Sequence, residues 1–165
     1  MKMLGIISLL FSLALPAMAL ESPTGPIILK VTGNINATKT VDGGVQFDLA
    51  MLQALPQHEI VTSNPWVDKA HTYKGPKLTD LLTAIGAKGK TVTLTALNSF
   101  QIQVDWEKVK RYDPILAWQD NGAIMRVRDK GPLWFMLPLD KYPELRRSEF
   151  TDMMIWQLHV IDIQH

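Results

Sequence analysis

The sequence contains no cysteine. That single absence excludes disulfides, thiolate nucleophiles, iron–sulfur clusters, cysteine-ligated metals and lipid attachment through a thiol. A surplus of charge is missing too, since 17 Lys and Arg stand against 16 Asp and Glu. Nucleic-acid binders usually carry a clear basic excess, so a general phosphate-binding surface is excluded. Histidines are few, and His58, His71, His159 and His165 share neither HxxxH nor HxH spacing. They read as surface or strand-face residues rather than metal ligands. No serine lies in a GxSxG elbow, and the scattered acids form no legible pair for acid–base work. Gly86-Ala87-Lys88-Gly89-Lys90 lacks phosphate-loop spacing and reads as a helix stop followed by a turn. Residue chemistry alone therefore yields no catalytic constellation.

What is present begins with an export address. Met1 to Ala19 place Lys2 ahead of an apolar run, Leu4 to Leu15, and end in the small-x-small pattern Ala17-Met18-Ala19. The run is shorter than the roughly 20 residues that a spanning helix needs, so a cleaved signal peptide is expected over 1–19. One exported, periplasmic domain is then expected over 20–165, with no membrane span after cleavage and no nucleic-acid partner. The length suits one sizeable core.

Along that domain strands outnumber helices. Ile27 to Val31 is a β-branched run closing at Gly33, and Val41 to Val45 carries turn chemistry. Asp48 is placed to cap a helix carrying Leu49, Met51, Leu52 and Leu55, which Pro56 stops. His58 to Thr62 reads as a strand. The stripe Leu78, Leu81, Leu82 and Ile85 predicts a helix over Pro76 to Ala87, closed by Gly86. Thr91 to Leu97 and Phe100 to Val104 alternate as two strands, and Trp106 to Tyr112 allows one or two helical turns. Ile115 to Trp118 and Ala123 to Val127 flank Asn121-Gly122, a strong hairpin signal. Leu133 to Leu137 is an apolar run. Ile155 to Ile163 alternates with a register change near Ile161, which predicts a bulge. With no βαβ rhythm, the expected class is α+β with mixed or antiparallel sheets and a few short helices.

Two features invite a binding role. Arg126, Arg128 and Lys130 alternate, so a strand would project them from one face, either to hold a small anion or simply to keep a strand edge solvated. The five tryptophans, Trp66, Trp106, Trp118, Trp134 and Trp156, belong mainly in the core, with one or two available to line a ligand pocket.

The order of segments resembles the oxidoreductase molybdopterin-binding domain of the sulfite-oxidase type. Tyr73-Lys74-Gly75-Pro76-Lys77-Leu78-Thr79-Asp80-Leu81-Leu82 stands where that family has W-x-G-x-x-L-x-x-L-L. Thr95 to Phe100 follows like its strand and aromatic-ended turn. Asp113-Pro114-Ile115-Leu116-Ala117-Trp118 precedes Asn121-Gly122 as in the family. Lys130 to Pro138 is similar to its G-x-P-L-R block, and Ile155-Trp156-Gln157-Leu158 to its closing strand. The resemblance implies the family's fold and a molybdopterin pocket near Thr62, Trp66 and Trp134; Arg126, Arg128 and Lys130 join these as cofactor-binding or ligand-pocket candidates through their alternating charge, not through a matching family motif. It also implies a metal-binding cysteine shortly before the first block, and that place falls near Thr62. The arginine of the G-x-P-L-R block is Trp134. A hydroxyl does not replace a soft thiolate, and an indole does not neutralise a phosphate.

No catalytic residue, metal ligand or cofactor is therefore expected. The leading expectation is a ligand-binding or interaction module, docking on a membrane sensor or another exported protein. The alternatives are a molybdopterin-dependent oxidoreductase with a non-cysteine metal ligand and a small-anion-binding protein. An ancestral pocket filled by aromatics would favour docking; an open and basic one would favour an anion.

Overall fold

The computed structural model describes residues 20–37 and 42–165. The expected signal segment 1–19 and the start of the turn at Val41 lie outside the described residues. The fold is α+β with mixed and antiparallel sheets and short helices, as the sequence predicts, and the described residues form three sheets.

The largest sheet has the order β2-β1-β11-β5-β6. Its strands are β1 (Ile27–Gly33), β2 (Val45–Asp48), β5 (Thr91–Ala96), β6 (Gln101–Asp105) and β11 (Leu158–Gln164). β1 runs parallel to β11, pairing Val31 with Ile161, while the other neighbours are antiparallel. Alternation explains these strands: Val92 and Leu94 are buried, and Thr91, Thr93 and Thr95 are half-buried on the other side. A four-stranded sheet has the order β3-β4-β8-β9, from β3 (Gln57–Asn64), β4 (Val67–Pro76), β8 (Gln119–Asp120) and β9 (Ala123–Ile124). The turn between its last two strands is Asn121-Gly122, with φ of 46° and 83°, the left-handed pair the dipeptide accepts readily. β7 (Ile115–Ala117) and β10 (Trp134–Met136) form a two-stranded ribbon. It lies so close to β4 that a Cβ at Gly75 would run into the Leu116 carbonyl.

Among the described residues, four short α-helices complete the fold: α1 (Leu49–Ala54), α2 (Leu78–Ala84), α3 (Trp106–Val109) and α4 (Ser148–Thr151). Asp48 caps α1 as expected, its Oδ1 accepting from the Met51 N–H at 2.9 Å. Its Oδ2 also accepts from the Thr24 and Gly25 amides at 2.8 Å, so it ties the segment before β1 to the helix. Those backbone donors, led by Met51, hold the carboxyl below the ordinary aspartate range. The predicted stripe of α2 is buried in full: Leu78, Leu81, Leu82 and Ile85 all join the core.

Several expectations need correction. The helix predicted from Pro76 starts at Leu78, because Pro76 ends β4. The last strand starts at Leu158 rather than Ile155, and its irregularity falls between Leu158 and Val160. Gln157 has φ of 53°, which turns the chain just before the strand. Arg126, Arg128 and Lys130 do not share a strand face: Val127–Asp129 is a 3₁₀ turn, and Lys130 closes it with φ of 70°. The Asp129 and Gly131 amides donate to the Arg126 carbonyl at 2.8 Å and close the turn, and Asp129 also accepts from Arg126 Nε at 2.6 Å across it.

Candidate functional site

Thr62 sits on β3 with its side chain wholly buried, opposite His71 of β4. Its hydroxyl is fully engaged, donating to the Ser63 carbonyl at 2.9 Å and accepting from the Asp140 amide at 3.1 Å. Asp140 returns the tie, since its carboxylate accepts from the Ser63 amide and hydroxyl and from Arg146. The Ser63 amide is the main cause that holds the Asp140 carboxyl below its usual range. Thr62 therefore clamps the Asp140 loop onto the edge of β3. The geometry gives it a structural task.

Trp134 fills the space next to that sheet. It is 1% exposed, and its indole N–H donates to the Met154 carbonyl at 2.8 Å. Tyr73 meets it edge-on with ring centroids 5.5 Å apart, Trp66 lies at 5.9 Å and Trp156 at 6.1 Å. Trp66 and Trp156 touch each other edge-to-face at 5.3 Å. Such tilted contacts are the favoured aromatic geometry. The Tyr73 hydroxyl accepts from Asn64 Nδ2 at 3.0 Å, and burial pushes its pKa up to about 12. On the outer side His71 stacks on Tyr73, and its Nδ1 lies 2.7 Å from Asp120 Oδ1.

Of the candidate residues, the structure brings Trp66, Trp134 and Lys130 together. The Lys130 ammonium lies 5.7 Å from the Trp134 ring centroid and 6.0 Å from that of Trp156, within cation–π range. Arg126 and Arg128 stay on the exposed 3₁₀ turn, apart from this packing. A molybdenum–pterin group does not fit the side chains at these positions. The Thr62 oxygen is already committed and sealed from solvent, and the Trp134 indole occupies the interior where the resemblance implies an arginine. Among the described residues, no three His, Asp or Glu side chains cluster as metal ligands.

The open feature lies beside this packing. A cleft of about 480 Å³ is lined by Trp66, Phe100, Ile102, Met154, Trp156 and Gln157, among others. Its lining is mostly apolar, and its size falls in the range of small-ligand and side-chain pockets. Phe100 is 53% exposed at its rim, next to exposed Leu97. The sequence reading placed Trp66 near a pocket but treated Phe100 and Ile102 only as strand residues. The available signal was Asn98-Ser99, a turn that leaves Phe100 at a hairpin tip: Asn98 Oδ1 accepts the Phe100 amide, and Ser99 has φ of 66°.

No family model matches this chain, and no curated protein matches it. Among solved structures it is similar to the sulfane dehydrogenase SoxCD from Paracoccus pantotrophus, at 19% identity and a TM-score of 0.60. The match covers 88% of this chain and 40% of that one, so this chain spans about two fifths of its neighbour's length. The chain has a sulfite-oxidase-like fold.

Proposed function

We propose that this chain is an exported, periplasmic binding module that uses a sulfite-oxidase-like fold without molybdenum chemistry. Its binding surface is the apolar cleft at Trp66, Phe100 and Trp156. Its partner is the outer domain of a membrane sensor or another exported protein. One observation carries the reading: the indole of Trp134 is buried and bonded to the Met154 carbonyl where the resemblance implies a cationic cofactor anchor. An interior packed with tryptophan leaves no room for a pterin, whereas the neighbouring cleft is open and apolar. Fold alone assigns no activity, so the chemistry of these positions decides. A small anion held by Arg126, Arg128 and Lys130 is the weaker reading, since Asp129 already engages Arg126.

The test is direct. The protein is purified from a host that makes molybdopterin, and molybdenum and released pterin are measured against protein concentration. Neither should exceed the level of a blank preparation. Molybdenum at one atom per chain, retained through gel filtration, would overturn the reading in favour of an oxidoreductase with an oxygen ligand to the metal.

A further inference from the structure

β6 is an edge of the five-stranded sheet, and its hydrogen-bond phase is fixed at both ends. The Phe100 carbonyl accepts from Ala96, and the Trp106 amide donates to Lys90. Because bonded and non-bonded pairs alternate in an antiparallel ladder, Phe100, Ile102, Val104 and Trp106 bond toward β5. The peptide groups of Gln101, Gln103 and Asp105 therefore point away from the sheet. Among the described residues, those of Gln101 and Gln103 and the Asp105 N–H form a row of free main-chain groups, ended where the Asp105 carbonyl caps α3, and such a row is the usual template for an added strand.

This edge also lacks the usual guards. Gln101-Ile102-Gln103-Val104-Asp105 has no proline and no lysine, and its register with β5 has no bulge. The contrast with β3 is instructive, because there the Asp140 loop covers the edge by taking the Ser63 amide. The open edge borders the apolar cleft: Ile102 and Phe100 line it from the core side of β6, while Gln101 and Gln103 are exposed on the opposite face. A residue placed opposite Ile102 would be in a non-hydrogen-bonded pair, where side chains approach most closely.

We propose that the free edge of β6 and the adjoining cleft form one site, which receives an extended segment of a partner protein as an added strand, with apolar side chains at alternate positions entering the cleft. The inference rests on the binding-module reading and deepens it by naming the form of the partner. The peptide groups select the occupant, because a lipid or a small hydrophobe leaves the outward row of main-chain donors unsatisfied. The pattern of specificity follows from the two faces. Apolar residues should face Phe100 and Ile102, and polar ones should face Gln101 and Gln103.

The experiment pans the full chain with a phage library of octapeptides, in which fixed threonines alternate with random apolar residues. The best binder is synthesised in two forms, unmodified and N-methylated at every second amide on the side that faces β6. Each is titrated against the wild-type protein and against the Gln103→Pro and Phe100→Ala variants. Gln103→Pro removes an outward N–H and one long, exposed side-chain bond to Gln164 Oε1, while the ladder with β5 keeps its bonds. The expected result is at least about tenfold weaker binding for the methylated peptide and for Gln103→Pro, a loss of about 1.4 kcal/mol or more, with the melting temperature unchanged. Should Gln103→Pro fail to fold, the methylated peptide carries the same comparison on the wild-type protein. Binding that ignores both changes but disappears in Phe100→Ala would overturn strand addition and leave the cleft reading standing. No binder at all, or binders indifferent to Phe100→Ala, would overturn both. A concentration-dependent dimer in light scattering that Gln103→Pro dissolves would give the edge to a second copy and overturn the partner assignment.

Discussion

Trp134 and Phe100 are large aromatic residues in neighbouring regions, and their surroundings are opposite. Trp134 is 1% exposed, ringed by Tyr73, Trp66 and Trp156, with its polar atom bonded. Phe100 is 53% exposed at a hairpin tip beside an open cleft. Trp66 and Trp156 belong to both regions, since each packs on Trp134 and also lines the cleft. The difference separates two uses of the same chemistry. Aromatic area sealed inside stabilises the fold, while aromatic area left at the rim is available to a partner.

The comparison is broken most easily at Trp134. Trp134→Ala is expected to lower stability by about 3–5 kcal/mol in urea denaturation, because it opens a cavity and strips the Met154 carbonyl of its donor. A loss below about 1 kcal/mol would mean that the interior is not packed as described. A smaller effect is expected at alkaline pH. The Tyr73 hydroxyl keeps its proton in the folded state up to about pH 12, against an ordinary value of 10.0. Its contribution is therefore complete below about pH 10 and disappears as pH rises through about 12, a loss of roughly 2–3 kcal/mol. Following phenolate absorbance alongside stability checks this, and ordinary titration of Tyr73 in the folded state would contradict its burial. The smallest effect is expected at the rim. Phe100→Ala should shift unfolding by no more than about 0.5 kcal/mol, as befits a surface residue, while lowering the fluorescence of a bound apolar dye. A stability loss as large as that of Trp134→Ala would erase the distinction between the regions.

Where apolar periodicity was strong, the sequence was legible. The α2 stripe, the alternation of β5 and β6 and the Asn121-Gly122 turn all carry local signals that tertiary packing reinforces. β4 was not legible as a strand, because Asp68, Lys69 and Ala70 are exposed and leave no alternation over its first half. β2 was not legible either: of its four residues, Val45–Asp48, the first was read as the end of the turn and the last as a helix cap. The basic triplet misled because alternation of charge resembles a strand, while backbone bonds from Asp129 and Gly131 to the Arg126 carbonyl close a 3₁₀ turn there. At the candidate site, sequence pointed to Thr62, Trp66 and Trp134 through resemblance. It held no information on where the hydroxyl of Thr62 bonds, or that an indole would pack against two others. Those depend on contacts between residues about 70–90 positions apart, such as Thr62 with Asp140 and Trp66 with Trp156.

The parallel pairing of β1 with β11 has a consequence for how the chain acquires its shape. Thr32 and Asp162 are hydrogen-bonded across 130 positions, and β11 sits in the middle of its sheet although it follows every other element. The β1–β2 pair and the β5–β6 hairpin can each form early from nearby residues, but neither can join the other until residues 158–164 slide between them. Such distant contacts make for slow assembly, so a nascent chain should stay open to handling by chaperones until its last strand arrives.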